Sequence, residues 1–304
     1  MKPEEHEPVI PPAPPDLARF LQRAEGVLAQ LEAWLPPPLP ATDWRAHAYR
    51  WRRRGYRGWL EAVHHLATIH PADLHHIDRQ KATLDRNTRQ FLAGLPANNV
   101  LMTGARGTGK SSLVRAMLAS YADQGLRLIE VDKSDLADLQ EIVEIIASRP
   151  EKFLIFCDDL SFEEGESSYK ALKSVLDGSI ASTSPNVLIY ATSNRRHLMP
   201  EYMHENLQTQ RHDDGEIHPG ETIEEKISLS ERFGLWLSFR PFSQDSYLDV
   251  VAHWLNTMGC DQQSISAARR EALQWALERG SRSGRVAWQF AKDWAARQHQ
   301  QQGT

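Results

Sequence analysis

Hydrophobic positions along this chain change period twice. Near the start, Leu17, Phe20, Leu21, Ala24, Leu28, Leu31 and Leu35 recur at helical spacing. Pro11, Pro12, Pro14 and Pro15 precede them, Asp16 is suited to cap the helix, and Pro36, Pro37 and Pro38 end it. The pattern predicts one amphipathic helix on stiff tethers, whose apolar stripe is covered by the main body, by a partner or by a neighbouring subunit. From residue 74 the text alternates. A helix is expected from Ile77 to about Leu92, followed by short apolar runs at 99–103, Leu126 to Val131, Phe153 to Cys157, Val187 to Ala191 and Leu235 to Phe239. Helical stretches separate them, and such alternation predicts a parallel, doubly wound sheet of five strands flanked by helices. After Pro241 the period is helical to the end, with Trp254, Trp275, Trp288 and Trp294 spaced as core positions of a small all-α lid. The organisation expected is a tether over 1–40, an Arg/Trp-rich extension over 41–73, an α/β core over 74–243 and a helical lid over 244–304.

Composition narrows the class. The 304 residues hold 41% apolar and 25% charged side chains, so a sizeable core is expected and wholesale disorder is not. Two cysteines, Cys157 and Cys260, are too few for a disulfide framework or a four-cysteine zinc site. No apolar run approaches the ~20 residues that span a bilayer. The expectation is a cytoplasmic protein with no membrane contact. A net charge of −5 argues against global electrostatic binding to nucleic acid, but the charge is uneven. Residues 41–60 carry six Arg against one Asp, and residues 201–225 carry eight acids against one Arg.

The residues Gly104-Ala105-Arg106-Gly107-Thr108-Gly109-Lys110-Ser111 fit G-x-x-x-x-G-K-[ST], with a strand expected before them and a helix from Ser112 to Tyr121 after them. Glycines let such a loop curl so that its N–H groups face phosphate oxygens, and the helix N-terminus adds a favourable dipole. Lys110 is then the point charge for the β- and γ-phosphates, and the Ser111 hydroxyl is a ligand for Mg²⁺. The run Phe153 to Cys157 delivers Asp158 and Asp159 to the C-terminal edge of the sheet, where ligands of open α/β sheets bind. Asp158 suits the metal shell and Asp159 suits the polarisation of an attacking water. Asn194, ending the run from Val187, is the candidate for orienting that water; its plainer role is to cap a turn.

At these residues the chain resembles a AAA+ ATPase. Leu74 to Lys81 resembles the box ahead of the phosphate loop whose apolar members cradle adenine, which the resemblance assigns to Leu74 and Ile77. Leu229 to Leu235 resembles the box that supplies an arginine finger in replication initiators, with Arg232 in that place. Ser283-Gly284-Arg285 resembles the lid motif whose arginine reaches the γ-phosphate of its own subunit. From Ile77 to Phe290 the chain is similar to a bacterial AAA+ family known as domain of unknown function eight hundred and fifteen. The resemblance implies ATP and Mg²⁺ as ligands, hydrolysis, a homo-oligomeric ring with a hexamer among the candidate sizes, and a protein partner that is remodelled. Two departures stand out. Most of that superfamily has Asp-Glu where this chain has Asp158-Asp159, so water activation is expected to be slow or shared with Glu163 or Glu164. The segment 132–136 lacks the aromatic-glycine loop of protein-threading unfoldases.

Residues 44–59 interleave Arg with Trp and Tyr, a composition that suits single-stranded nucleic acid and equally suits protein packing. A nucleic-acid loader and a nucleotide-gated scaffold with little hydrolysis are therefore the rival readings. His64, His65, His70, His75 and His76 lack the spacing of a known metal motif and read as exposed or pocket-lining residues.

Overall fold

The computed structural model describes residues 15–34, 38–66, 69–162, 167–177, 184–194 and 229–302. Two compact units appear, Met1–Ala41 and Thr42–Thr304. The first contains helix α1 (Pro15–Trp34), which begins one residue ahead of Asp16. No helix among the described residues is long and apolar enough to cross a membrane.

The second unit is built on one sheet. Its strands are β1 (Ala48–Arg54), β2 (Arg57–Ala62), β3 (Val100–Gly104), β4 (Leu126–Val131), β5 (Lys152–Cys157), β6 (Val187–Ser193) and β7 (Leu235–Phe239), in the order β2-β1-β4-β5-β6-β3-β7. The five strands expected are present and parallel, and two more extend the sheet to seven. β5 shows why its sequence is a continuous apolar run. Phe153, Ile155 and Cys157 enter the core on one face, Leu154 and Phe156 the core on the other, and all five are buried. Helices α2 (Asp78–Leu92) and α3 (Lys110–Tyr121) cover one face, with Leu84, Phe91, Leu113 and Met117 packed inward. On the other, α4 (Leu139–Ile146) and α5 (Ser167–Leu176) supply Ile142, Ile146 and Leu172.

The two added strands come from the Arg/Trp-rich segment. β1 pairs antiparallel with β2 and parallel with β4, so the segment forms a hairpin on the sheet's edge. Tyr49 and Trp51 point into the core, while the intervening arginines meet carboxylates: Arg50 with Glu130 at 2.8 Å, Arg52 with Glu61 at 2.8 Å and Arg53 with Asp138 at 3.6 Å. Gly55, at φ 61°, opens the two-residue turn, and Tyr56 at its tip is 99% exposed.

The lid is three helices, α6 (Gln244–Thr257), α7 (Gln262–Glu278) and α8 (Gly284–Gln302). Ser243 and Asp261 accept the backbone N–H of Ser246 and Ser264 and so cap the first two. Of the four tryptophans expected in its core, Trp294 is buried and Trp254 and Trp275 are partly so. Trp288 instead lies 37% exposed, edge-on to Trp254 at 4.6 Å between ring centroids.

The hairpin yields a stability prediction. A β-carbon built on Gly58 would fall 1.8 Å from the Trp51 indole, whose Nε1–H donates to Asp138 at 3.0 Å. Replacing glycine by alanine in a strand normally gains stability, but here it forces apart a ring that is 1% exposed. Gly58→Ala is expected to lower the unfolding free energy by about 1–3 kcal/mol. Urea denaturation measures it, and an unchanged midpoint would contradict the packing.

Candidate functional site

Three strand ends build the site. β3, β5 and β6 are parallel, so Gly104, Cys157 and Ser193 finish on one edge of the sheet. The loop after β3 curls back through three glycines with left-handed backbone, Gly104 at φ 142°, Gly107 at 75° and Gly109 at 100°. Two have no room for a side chain. A β-carbon on Gly104 would lie 2.1 Å from the Phe239 carbonyl oxygen, and one on Gly107 would lie 2.8 Å from Ser283. Thr108 closes the loop by donating its hydroxyl to the Ala105 carbonyl at 2.9 Å. Gly109 precedes the first turn of α3, which starts with Lys110, Ser111 and Ser112 and presents unbonded backbone N–H groups to the loop.

Lys110 is the centre of charge. Only 6% exposed, its Nζ donates to the carbonyls of Gly104 at 2.6 Å and Ala105 at 2.9 Å and to Asn194 Oδ1 at 2.9 Å. Burial holds its ammonium below the ordinary lysine value, and the nearby charges of Asp158 and Asp159 work against that shift. A cation enclosed by neutral carbonyl oxygens at the foot of a glycine loop fits an anionic ligand, and phosphate oxygens match both the charge and the open N–H groups.

The acids come from β5. Ser111 Oγ donates to Asp158 Oδ1 at 2.7 Å. A hydroxyl and a carboxylate that close form a hard-oxygen pair, matching the spacing of about 3 Å between neighbouring ligands of an octahedral Mg²⁺. The donor set therefore fits that metal. Asp159 stands on the other side of the turn, its Oδ1 accepting from Asn194 Nδ2 and its Oδ2 lying 3.3 Å from Arg106. Asn194 thus touches both Lys110 and Asp159. Glu163 and Glu164, the alternative carboxylates, lie outside the described residues, as does the acidic stretch 201–225.

Leu74 and Ile77 are both buried, and Ile77 lies beside the loop, where a β-carbon on Gly109 would meet its δ-carbon at 3.4 Å. The same box is tied to the lid, with the His75 and His253 rings 4.3 Å apart and His76 Nε2 3.2 Å from Asp249. Burial first, and then the neighbouring His253, lowers the His75 pKa. The lid also touches the loop directly. Gly284 N–H donates to the Gly107 carbonyl at 2.8 Å, and the β-carbon of Arg285 lies 3.5 Å from where a Gly107 side chain would start. Arg232 is not in this group. It precedes β7, at the opposite end of the β3/β7 pair from the loop, and its guanidinium pairs with Asp177 of its own chain. Neither that pairing nor the Ser283 contact has a signal in the sequence, because both join residues more than fifty positions apart.

A family model described as a protein of unknown function, DUF815, matches residues 44–298. The chain belongs to the DUF815 family. No curated protein sequence matches it. Among solved structures, this DUF815 chain is similar to the Thermotoga maritima RuvB Holliday junction branch migration motor, at 15% identity over 71% of this chain and 59% of that one, with a TM-score of 0.43. It is also similar to the HORMA:CdnC:Trip13 complex of E. coli MS115-1 (12% identity, 73% and 89% covered, TM-score 0.46) and to a DNA replication initiation factor (15%, 69% and 58%, TM-score 0.41). The chain spans 59% of the RuvB chain's length. The parallel β4-β5-β6-β3-β7 sheet, the glycine loop after β3 and the helical lid give the DUF815 chain a AAA+ fold.

One backbone angle bears on the choice of acid at this position. Asp159 has φ 54°, a left-handed conformation that Asp and Asn tolerate and longer side chains disfavour. Asp159→Glu is therefore expected to lose about 1 kcal/mol of stability and to hydrolyse no faster than the native chain. Thermal melts and steady-state phosphate release test this, and a faster, equally stable variant would refute it.

Proposed function

We propose that this DUF815 protein binds ATP with Mg²⁺ and hydrolyses it as a AAA+ ATPase whose sites are completed between subunits of a homo-oligomer, and that it uses the cycle to remodel a protein partner. The observation that carries the reading is the 2.7 Å contact between Ser111 and Asp158, because it joins two motifs 47 residues apart in one hard-oxygen pair beside an enclosed lysine. When bound, Mg²⁺ would neutralise charge on the β- and γ-phosphate oxygens. Lys110, the loop amides and the start of α3 would hold those phosphates, and Leu74 and Ile77 would flank adenine. Asp159 Oδ1, oriented by Asn194, would accept the proton of the attacking water. Arg285 would reach the γ-phosphate from the lid of the same chain.

The oligomer follows from Arg232. The strand alone, at ~3.3 Å per residue, puts it roughly 13 Å or more from its own phosphate loop, and the resemblance of Leu229 to Leu235 to the finger-bearing box supports a role for its guanidinium at a neighbour's site. A protein partner is favoured over nucleic acid because Arg45, Arg50, Arg52 and Arg53 are all paired with carboxylates of this chain. A loader gripping a single strand would need those charges free. Labelled oligonucleotides binding with steep salt dependence would restore that reading, and the segment would then work through the exposed tip around Tyr56. A nucleotide-gated scaffold would bind ATP and release little phosphate in a steady-state assay.

Two results are expected. Steady-state hydrolysis should require Mg²⁺ and be abolished by EDTA, and Asp159→Asn, which keeps the backbone conformation, should bind nucleotide but hydrolyse about 10²-fold or more slowly. Full activity in that variant would remove Asp159 as the base. Specific activity should also rise with protein concentration. Mixing Arg232→Ala chains, which keep their loops, with Lys110→Ala chains, which keep their fingers, should restore part of the activity that each lacks alone. A finger supplied in trans accelerates transfer by about 10³ to 10⁵-fold in other P-loop enzymes, so flat activity on dilution with no recovery on mixing would mean a monomeric enzyme.

A further inference from the structure

The two carboxylates at the end of β5 are adjacent in sequence yet face different tasks, and something must keep them apart and fixed. β5 leaves the sheet at Cys157, paired with Ala191, while β6 runs on for two more residues and carries Thr192 past the turn. Thr192 is 1% exposed. Its single hydroxyl has two partners, both from that turn: Oγ1 donates to Asp158 Oδ1 at 2.5 Å and accepts the backbone N–H of Asp159 at 2.9 Å. Its carbonyl accepts the N–H of Leu160 at 2.7 Å. Three successive residues, 158 to 160, are thus held by one threonine.

We infer that Thr192 is a positioning residue of the hydrolytic site, holding Asp158 for the metal and Asp159 for the attacking water through its one hydroxyl. The inference rests on the ATPase reading given above and names a residue that touches neither nucleotide nor metal. Two bonds to one oxygen make the two acids a unit, because the proton that fixes Asp158 leaves the lone pairs of the same oxygen to hold the Asp159 amide. The bond to that amide also bears on the left-handed backbone at Asp159. A residue at φ 54° needs its surroundings to over-determine it, and here the amides on both sides of its Cα are anchored to Thr192, Asp159 N–H to the hydroxyl and Leu160 N–H to the carbonyl. Asp158 Oδ1 accepts from Thr192 and Ser111 together, so its position relative to the metal-binding hydroxyl is set before any ligand arrives.

A buried threonine can also be merely a satisfied core residue, and the experiment separates the two roles. Thr192→Val keeps the shape and removes the hydroxyl; Thr192→Ser keeps the hydroxyl and removes a methyl group. Binding of a fluorescent, non-hydrolysable ATP analogue is measured for the full chain in EDTA and across a Mg²⁺ titration, with melting temperature in the absence of nucleotide as the folding control. For Thr192→Val the affinity in EDTA should stay within about twofold of native, whereas the Mg²⁺ needed for half-maximal tightening should rise by about 10-fold or more, the range for losing an outer-shell partner of a metal ligand. In steady-state assays kcat should fall with KM little changed, and Thr192→Ser should recover both readouts to within about threefold. If Thr192→Val does not fold, Thr192→Ala carries the same comparison. A hydroxyl-free variant with native Mg²⁺ dependence and native kcat, or a Thr192→Ser chain as impaired as Thr192→Val, overturns the inference. A native chain that shows no Mg²⁺-dependent tightening at all overturns the ATPase reading instead.

Discussion

The parallel pairing of β6 with both β3 and β5 is the constraint on which the rest of the molecule depends. Parallel strands bring their C-terminal ends to one edge, and nothing in the local sequence could otherwise set a lysine from one motif beside acids from a second and an asparagine from a third. Parallel neighbours need long returns, and α3 after β3 and α5 after β5 belong to two of them. In exchange β3, β5 and β6 are each paired on both sides, and the loop and the acids follow where these strands stop. Val100, Leu154, Ile155 and Tyr190 are buried to 0% exposure, so the platform beneath the site has little freedom to shift register.

Much of this edge is legible in the sequence because its signals are local. A glycine loop between a strand and a helix, a strand running into two acids and a strand ending in Thr-Ser-Asn are each read within a dozen residues. What escapes is non-local or conformational. The alternation Tyr49, Arg50, Trp51, Arg52 is a strand pattern, yet six arginines among aromatic residues leave both nucleic acid and protein packing open. Only the placement of Glu130, Glu61 and Asp138 opposite them turns the segment into the rim of the sheet. Asp159 looks like a shortened glutamate, and its left-handed φ has no signal in the sequence. Thr192 passes for one more β-branched strand residue, since its hydroxyl acquires meaning only from the turn of another strand.

Charge in the site is arranged so that each group has a substitute partner. Lys110 rests on two carbonyls and an amide oxygen, Asp159 on an amide and an arginine, and Asp158 on two hydroxyls. These partners are neutral or exposed, so in the function proposed above each would be exchanged for a phosphate oxygen, a metal or a water without leaving a bare charge behind. Arg232, at the far end of the strands, likewise rests on a half-exposed partner, Asp177. A site that swaps one set of bonds for another has a smaller desolvation penalty than one that must uncover isolated ions.

The bond from Gly284 to the phosphate loop has a mechanical side. Gly284 is also the first residue of α8, a helix of 19 residues that at 1.5 Å per residue is about 28 Å long. The loop therefore grips a rod by its end. A tilt of about 10° at that grip displaces the other end by about 5 Å, on the length given by the helical rise. Phe290 and Ala291 on that rod are buried with residues of α6 and α7 in the lid core, so a tilt at the grip would be carried by three packed helices as one lever.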